Sequence, residues 1–312
     1  MKIRIFVVIL VIVCLMSCNK DKDVKQIIVV SNDDIQRYLL WRYDTNRDGI
    51  LSEEEALAVT QIFFPPFLEP IDIVDGLEHF PNLEMLGINN GCTYTSIDVS
   101  ANPKLRELSL GTNKLKTLDL TNNPELERLY YWGGELESFY LGYKPKLTVL
   151  ECSSNKLITI DLSGCSNLEK LGISDNPLTE LCLKNNLNLE WINISKSQLE
   201  TIDVSANVNL KIFRCESNIL LKSIDFKKNT ELLDLSLDGN ILMTDIDISN
   251  NTKLESLFCT SMFKMTILDV SNNPNIWQLH CHFNPNLTTL YLKTGQTLQR
   301  LNIDSHTEII YK

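Results

Sequence analysis

Twelve consecutive residues near the N-terminus have the types and spacing that bind a divalent cation through oxygen. Side-chain oxygens occur at the first, third and fifth positions, and a carboxylate occurs at the twelfth. Calcium takes about six to eight oxygen ligands, and this spacing wraps one loop around a single ion. The predicted ligands are Asp44, Asn46, Asp48, the backbone carbonyl of Ile50, Ser52 and Glu55.

The residues around this loop predict two helices, so that the whole segment resembles an EF-hand. Ser31, with Asp34 three residues later, predicts the start of the entering helix. Ser52 opens the second helix as a capping box, and we expect that helix to run through Val59 until Pro65 and Pro66 end it. Sensor EF-hands work in pairs, so this single loop is expected to stiffen a cap, with calcium affinity on the order of 10⁻⁴ M. The alternative is a loop that folds without metal.

The N-terminus has the pattern of a targeting segment, assigned to residues 1–17. Its apolar stretch at residues 6–16 is too short to span a bilayer, which needs about 20 residues. The stretch ends Leu15-Met16-Ser17-Cys18, which resembles the lipobox of bacterial lipoproteins, and this resemblance implies lipid attachment at Cys18. Residues 18–30 are interpreted as the lipidated cysteine and a flexible tether.

An apolar residue recurs at fixed spacing through most of the chain. Each unit follows L-x-x-L-x-[LC]-x-x-N-x-L-x-x-[LI]-D-[LIV], and its first nine positions match the leucine-rich repeat signature. The spacing predicts about eleven coils within residues 76–312, after a helical cap over residues 31–75. The recurring positions, 21 or 22 residues apart, are Leu83, Leu105, Leu126, Leu147, Leu168, Leu189, Leu210, Leu232, Leu254, Ile276 and Leu298.

Burial of the repeated apolar positions determines the fold class. Each coil turns these side chains inward, and stacked coils share one core. The dozen or so residues left in each unit are too few for a helix and two turns. We therefore predict a leucine-rich repeat solenoid that is mostly β, with short return strands or turns in place of convex helices. An asparagine ladder to the next coil is expected from Asn113, Asn155, Asn176, Asn218, Asn240 and Asn284.

The combination of these motifs resembles internalin-like surface proteins with 21- to 22-residue repeats. The chain is most similar to Bacteroides-type lipoproteins in which an EF-hand-like cap precedes the repeats. The resemblance covers residues 31 to about 305, although Gly134 and Met262 replace the repeat asparagine. It implies an outer-membrane lipoprotein at the cell surface, and the charged tether Lys20-Asp21-Lys22-Asp23 favours the same location.

Four cysteines occupy the inward sixth position of the repeat. Side chains at equivalent positions of stacked coils are parallel, which gives poor disulfide geometry, so we expect buried free thiols. Disulfides are the alternative that an even count in a secreted protein suggests. The four are Cys152, Cys215, Cys259 and Cys281. The state of Cys92, Cys165 and Cys182 is left open.

The third, fifth and seventh positions of each unit should point outward from the first strand, on the concave side. On five successive coils these positions hold aromatic and charged residues of the types that dominate binding hot spots. Gly172 and Ser174 lie between them and are expected to leave room for a ligand. The predicted partner-binding residues are Arg128, Tyr130, Trp132, Glu151, Trp191, Asn193 and Arg214.

Two further patterns have both a chemical and a structural interpretation. Phe258, His280, His282 and Asp304 share the concave side of the last coils, where the histidines could bind a transition metal or sense pH. Ordinary solvated histidines are the favoured alternative. An aspartate row on the return side could bind cations, but turn-ordering hydrogen bonds are favoured. The row is Asp98, Asp119, Asp161, Asp203, Asp225, Asp247 and Asp269.

Charge and motif content restrict the function. The net charge of −11 argues against nucleic-acid binding, because phosphate contacts need clustered Lys and Arg. No catalytic signature is present, so an enzyme is not predicted. The first hypothesis is a lipid-anchored protein that binds an extracellular or envelope protein through the concave side. The alternatives are carbohydrate binding and a structural spacer in an envelope complex. No oligomeric state is predicted.

Overall fold

The structure is a computed structural model that describes residues 27–64, 70–89 and 91–312. The predicted signal peptide, Cys18 and most of the tether lie outside the described residues, and so do Pro65 and Pro66. Within the described ranges, no helix is both long enough and apolar enough to cross a membrane.

The described residues form two short helices and seventeen strands, numbered in chain order. The helices are α1 (Asp33–Tyr43) and α2 (Glu53–Leu57), and a 3₁₀ turn spans Leu77–His79. The strands are β1 (Gln61–Phe64), β2 (Met85–Ile88), β3 (Glu107–Leu110), β4 (Thr117–Asp119), β5 (Arg128–Tyr131), β6 (Ser138–Tyr140), β7 (Val149–Glu151), β8 (Lys170–Gly172), β9 (Trp191–Asn193), β10 (Ile212–Arg214), β11 (Asp234–Ser236), β12 (Ser256–Phe258), β13 (Ile267–Asp269), β14 (Gln278–His280), β15 (Thr289–Leu292), β16 (Arg300–Asn302) and β17 (Glu308–Tyr311).

Twelve strands form one parallel sheet in the order β1-β2-β3-β5-β7-β8-β9-β10-β11-β12-β14-β16. From β2 onward, neighbouring strands pair residues 21 or 22 apart, as Met85–Glu107 and Glu107–Arg128 do. Eleven of these strands belong to the eleven predicted coils, and β1 adds one more at the N-terminal end. The parallel solenoid predicted from the repeat is confirmed. The outward side of this sheet is here called the concave face.

The return side of the coils is extended, as predicted. A two-stranded sheet pairs β4 with β6, and a three-stranded sheet runs β13-β15-β17. The other coils return through turns, and residues 91–312 contain no helix.

Inward leucines build one core that extends from Ile28 to Leu292. Leu105, Leu126 and Leu147 are fully buried in it. Burying one such side chain stabilises a fold by about 1.5–3 kcal/mol, so the repeated layer is the main source of stability.

The cysteines of the sixth position are buried free thiols, as predicted: Cys152, Cys215, Cys259 and Cys281. Burial raises the pKa of each thiol, and that of Cys281 to about 12. Thiols held protonated are poor nucleophiles, so these side chains act as core residues. Cys165 and Cys182 are also free thiols, and Cys182 is exposed, whereas Cys92 is buried.

The predicted asparagine ladder is present from Asn155 onward, but its bonds between coils run to the preceding coil, and Asn113 bonds to the backbone of its own coil. Asn176 Nδ2 donates to the Cys152 carbonyl at 2.9 Å, and its Oδ1 accepts the Leu157 N–H at 3.1 Å. Each rung therefore satisfies backbone groups that the coil leaves buried where the strand turns.

A second ladder, which the sequence analysis missed, lies on the return side and is here called the return ladder. Each rung donates twice to the preceding coil, as Asn207 Nδ2 does to the carbonyls of Leu183 (3.3 Å) and Asn186 (2.8 Å). The ladder is broken at Lys144 and Cys165, which replace two rungs. Its rungs are Asn102, Asn123, Asn186, Asn207, Asn229, Asn251 and Asn273.

The N-terminal cap differs from the prediction at two helix ends. Asn32 caps α1 by accepting the N–H groups of the first turn, so Ser31 is not the cap. The capping box at Ser52 is confirmed. Helix α2 ends at Leu57, however, and the expected extension through Val59 is wrong. The next residues are β-prone and pair with β2, which makes them the first strand of the sheet.

Two tyrosines of α1 close the outer edge of β1. The Tyr38 hydroxyl donates to the Phe63 carbonyl at 2.9 Å, and the Tyr43 hydroxyl donates to the Gln61 carbonyl. An open strand edge is a template for unwanted pairing, and these bonds occupy it.

Candidate functional site

All seven predicted partner-binding residues lie on the concave face. Strand register aligns Tyr130, Glu151, Gly172, Asn193 and Arg214 in one row across five neighbouring strands. A parallel row contains Arg128 and Trp191, with Val149 and Lys170 between them, and Trp132 follows the end of β5. The predicted placement on five coils is therefore correct.

Only part of this set is an accessible aromatic surface. The rings of Tyr130 and Trp132 lie 5.6 Å apart, and Trp132 is 43% exposed. These two residues are here called the aromatic pair. Trp191 is three strands away and half-buried, and the Lys170 ammonium sits over its ring at 4.6 Å. The two tryptophans therefore do not form one platform.

The expected gap at Gly172 is filled. A side chain added at Gly172 would place its Cβ 1.8 Å from Glu151 Oε2. The same carboxylate pairs with Lys170 at 2.7 Å, and the Glu151 side chain is only 15% exposed. Glu151, Lys170 and Trp191 thus form a closed stack, and the expectation of ligand space at Gly172 is wrong.

The weak candidates of the last coils are held by other contacts. The His280 ring packs against Phe258 at a centroid distance of 4.9 Å. Its two ring nitrogens are approached by the side-chain amides of Gln278 on the same strand and of Asn302 on the next coil. Asp304 accepts the N–H groups of Phe283 (3.0 Å) and Asn284 (2.7 Å). No group of three His, Cys, Asp or Glu within the described residues could hold a metal ion, so the geometry does not favour a metal site with His282.

A hollow that the sequence analysis missed lies on the concave face of β10 to β12. Its volume is about 200 Å³. Three carboxylates, one guanidinium, a hydroxyl and a phenyl ring line it. We call it the acidic hollow, and its residues are Arg214, Glu216, Asp234, Ser236, Asp238 and Phe258. They sit at outward repeat positions, but only the strand register shows which of them meet.

The aspartate row on the return side orders turns. Each carboxylate accepts the N–H two residues later, as Asp98 does from Ser100 at 2.9 Å and Asp203 from Ser205 at 2.9 Å. Hydrogen bonds from Ser100 hold the pKa of Asp98 below its ordinary value. The favoured structural interpretation is confirmed.

The predicted calcium loop is closed by its own side chains. Asp44 Oδ2 accepts the Gly49 N–H at 2.9 Å, and Asn46 Oδ1 accepts the Asp48 N–H at 2.8 Å. Gly49 has φ 81°, the left-handed conformation that the sharp turn requires. Asp44 Oδ1 is buried without a hydrogen-bond partner. An orphaned carboxylate oxygen is a ligand that a hard cation takes, but the carboxylates of Asp44, Asp48 and Glu55 do not converge into a three-ligand group in the described structure.

Glu55, the expected bidentate ligand, bonds to both ends of the loop. Its Oε1 accepts the Thr45 N–H at 2.7 Å, and its Oε2 accepts the Ser52 hydroxyl at 2.8 Å. Partial burial raises the pKa of Glu55, but the hydrogen bonds from Ser52 and Thr45 outweigh burial and lower it to about 2. The carboxylate is therefore ionised at neutral pH, as a calcium ligand must be.

The segment before α1 supports this loop. Ile27 pairs with Ser52 in an antiparallel bridge, and Ile28 N–H donates to the Leu51 carbonyl at 3.0 Å. These bonds tie the end of the loop to the segment before α1.

Comparisons with solved structures define the class of fold. The functional domain of InlJ from Listeria monocytogenes, which includes a cysteine ladder, matches with a TM-score of 0.57 and 24% identity over 78% of this chain; the match spans only 60% of that chain. InlP from Listeria monocytogenes matches with a TM-score of 0.58 and 20% identity, covering 83% of this chain and 70% of that one. The plant peptide hormone receptor RGFR1, in complex with RGF2, matches with a TM-score of 0.51 and 17% identity. This match covers 84% of this chain and 57% of that one. The fold is that of internalin-type leucine-rich repeat solenoids. No family model and no curated protein matches the chain.

Proposed function

We propose that this protein is a binding scaffold that recognises a protein partner through the concave face around the aromatic pair. The observation that carries this proposal is the exposed ring of Trp132 beside Tyr130, on a sheet paired on both sides. Large aromatic side chains dominate binding energy, and a rigid surface loses little conformational entropy on association.

Charged neighbours fix the orientation of this surface. Arg128 Nε donates to Glu107 Oε2 at 2.8 Å beside Tyr130, so the guanidinium is held in place before a partner arrives. A charged group that is already oriented, as Arg128 is, contributes more to the specificity of binding than to its affinity.

Capture of a partner tests the proposal. Full-length protein, purified in detergent, would be immobilised with calcium and exposed to extracts of bacterial envelope and of host extracellular material. We expect Trp132→Ala to lose the captured protein. Trp191→Ala should have a smaller effect, because Lys170 already covers that ring. Trp41→Ala is the matched control, since Trp41 is 79% exposed but lies on α1.

Each other outcome has a defined meaning. Equal loss with Trp41→Ala, or unchanged capture with Trp132→Ala, would show that the aromatic pair is not the site. Capture of a glycan would favour the carbohydrate alternative, in which the rings stack on sugars. No capture at all would favour the spacer.

We also propose that a lipid on Cys18 anchors the protein at the outer membrane, facing the cell surface. Support comes from the lipobox-like Leu15-Met16-Ser17-Cys18 and the charged tether that follows it. Cys18→Ser should move the protein out of the membrane fraction. Protease treatment of intact cells tests the surface location, and full protection would contradict it.

A third proposal is that the loop from Asp44 to Glu55 binds one calcium ion that stiffens the cap. Its support is the oxygen donor set and the unpartnered Asp44 Oδ1. The bound ion would neutralise carboxylates that otherwise repel one another.

A further inference from the structure

The acidic hollow differs from the rest of the concave face in the pairing of its charges. Glu107 pairs with Arg128 at 2.8 Å, and Glu151 pairs with Lys170 at 2.7 Å. In the hollow, by contrast, none of the three carboxylates forms an ion pair within 4.0 Å with any described residue. Arg214 at the rim is exposed and pairs with none of them. The hollow therefore has three carboxylates against one guanidinium, and its net charge is negative.

Asp234 is the residue of the hollow whose surroundings most favour a bound cation. Its Oδ1 is buried without a hydrogen-bond partner. Burial raises the pKa of this carboxyl, the nearby Arg214 charge opposes the rise, and Glu216 adds to it. Glu216 and Asp238 each commit only one oxygen, to the Ser236 hydroxyl (2.8 Å) and the Thr260 N–H (2.6 Å). An unpartnered carboxylate destabilises a fold, and a bound cation would remove that cost.

The shape of the hollow selects the kind of cation. Phe258 forms one wall, and a phenyl face attracts a guanidinium or ammonium group. Glu216, Asp234 and Asp238 do not converge into a three-ligand metal group. Charge complementarity and the phenyl wall thus favour an organic cation over a metal ion.

We propose that the acidic hollow receives a basic side chain, arginine or lysine, from a partner polypeptide. This inference rests on the proposed binding function of the concave face and adds the chemistry of the partner. Asp234 and Glu216 bind the charged group, and Phe258 packs against its stem or plane.

Strand spacing sets the length of the partner segment. Five strand steps separate Tyr130 on β5 from the row of the hollow on β11. At about 4.8 Å per step the separation is about 24 Å, which about seven extended residues span at roughly 3.3 Å each. A partner that contacts both places has its basic residue about seven positions from the residue that meets the aromatic pair.

Fluorescein-labelled heptapeptides test the hollow directly. The probe is Gly-Ser-Ala-Arg-Ala-Ser-Gly, and the reference peptide carries citrulline, which keeps the shape of arginine but not its charge. Fluorescence polarisation with full-length protein in detergent measures binding at low salt. We expect the arginine peptide to bind at least about five-fold more tightly than the citrulline peptide, the range of a partly buried charge-assisted pair. Asp234→Asn should abolish this difference.

The matched control is Asp203→Asn, which removes the same charge on the return side. It should bind like wild type. Asp234→Asn should melt at the same or a higher temperature, because the carboxylate it removes has no partner. Equal affinity for both peptides, or equal weakening by Asp203→Asn, would overturn the proposal. Trp132→Ala tests the proposed function separately, since loss of capture there with no arginine preference would refute only the basic partner.

Discussion

Replacing Lys144 with asparagine should stabilise the protein by restoring a rung of the return ladder. Lys144 is fully buried, and its ammonium nitrogen has no hydrogen-bond partner. At the preceding rung, Asn123 Nδ2 donates to the carbonyls of Val99 (2.8 Å) and Asn102 (3.0 Å). An asparagine at 144 would reach the equivalent carbonyls of its own neighbouring coil.

The expected gain follows from three contributions. Two hydrogen bonds contribute about 0.5–1.5 kcal/mol each, and removing an unpaired buried polar group recovers about 1–3 kcal/mol. The shorter side chain leaves a space of about 50 Å³, which costs about 1 kcal/mol at ~24 cal/mol per Å³. We therefore expect Lys144→Asn to raise the free energy of unfolding by about 3 kcal/mol, or the melting temperature by about 6 °C.

The pH dependence of this gain identifies its cause. Burial lowers the pKa of Lys144 in the folded state, so the unfolded chain binds the extra proton. The destabilisation caused by the buried Lys144 charge is complete below the folded-state pKa. It vanishes above the pKa of lysine in the unfolded chain, about 10.4. The difference between wild type and Lys144→Asn should therefore shrink as pH rises towards 10.

Thermal and denaturant unfolding at several pH values provide the assay. Lys228→Asn is the matched control, because it makes the same change at an exposed lysine. A Lys144→Asn protein that melts at or below the wild-type temperature would refute the ladder argument. A constant difference across pH would refute the role of the buried charge.

Two further predictions concern the ladder and the cap. Asn207→Ala should destabilise the protein by about 2 kcal/mol in denaturant unfolding, because two buried carbonyls lose a donor; Asn209→Ala, at an exposed asparagine, should cost far less, and equal losses would contradict this reasoning. Calcium at 100 times its dissociation constant should add about 2.7 kcal/mol to stability. Calorimetric melting in calcium and in chelator measures this gain, which Asp44→Asn should remove and Asp203→Asn should not; identical wild-type melting in both buffers would exclude a stabilising site.

The sequence predicts most of the solenoid because the residues that define the repeat period are also the residues that form the core. A leucine every 21 or 22 residues can be buried only if the coils stack. Strand β1 was missed because Gln61–Phe64 lacks the repeat leucines and becomes a strand through pairing with β2. The return ladder has a signal in the sequence, since asparagines recur at the repeat spacing from Asn186 to Asn273, but Lys144 and Cys165 interrupt this recurrence before Asn186.

Side-chain contacts between coils were harder to predict. The expected gap at Gly172 is filled by Glu151, a residue 21 positions earlier whose conformation depends on Lys170. The acidic hollow likewise depends on the register that pairs Asp234 with Ile212 and Ser256, and Arg214 with Ser236. The sequence of a single repeat predicts neither the filled gap nor the hollow, because both form between neighbouring coils.

The return ladder makes each coil an exchangeable unit. Each asparagine rung bonds to the coil before it, so a coil of the unbroken stretch from Asn186 to Asn273 can be deleted or duplicated without leaving a buried carbonyl unpaired. Such a change between β5 and β11 would move the aromatic pair and the acidic hollow by about 4.8 Å relative to each other and alter neither. In genetic terms, gain or loss of 21 or 22 codons changes the distance between the two contact points by one coil. Homologues that differ by whole coils would then select partners by the distance between contact points, with the chemistry of each contact kept the same.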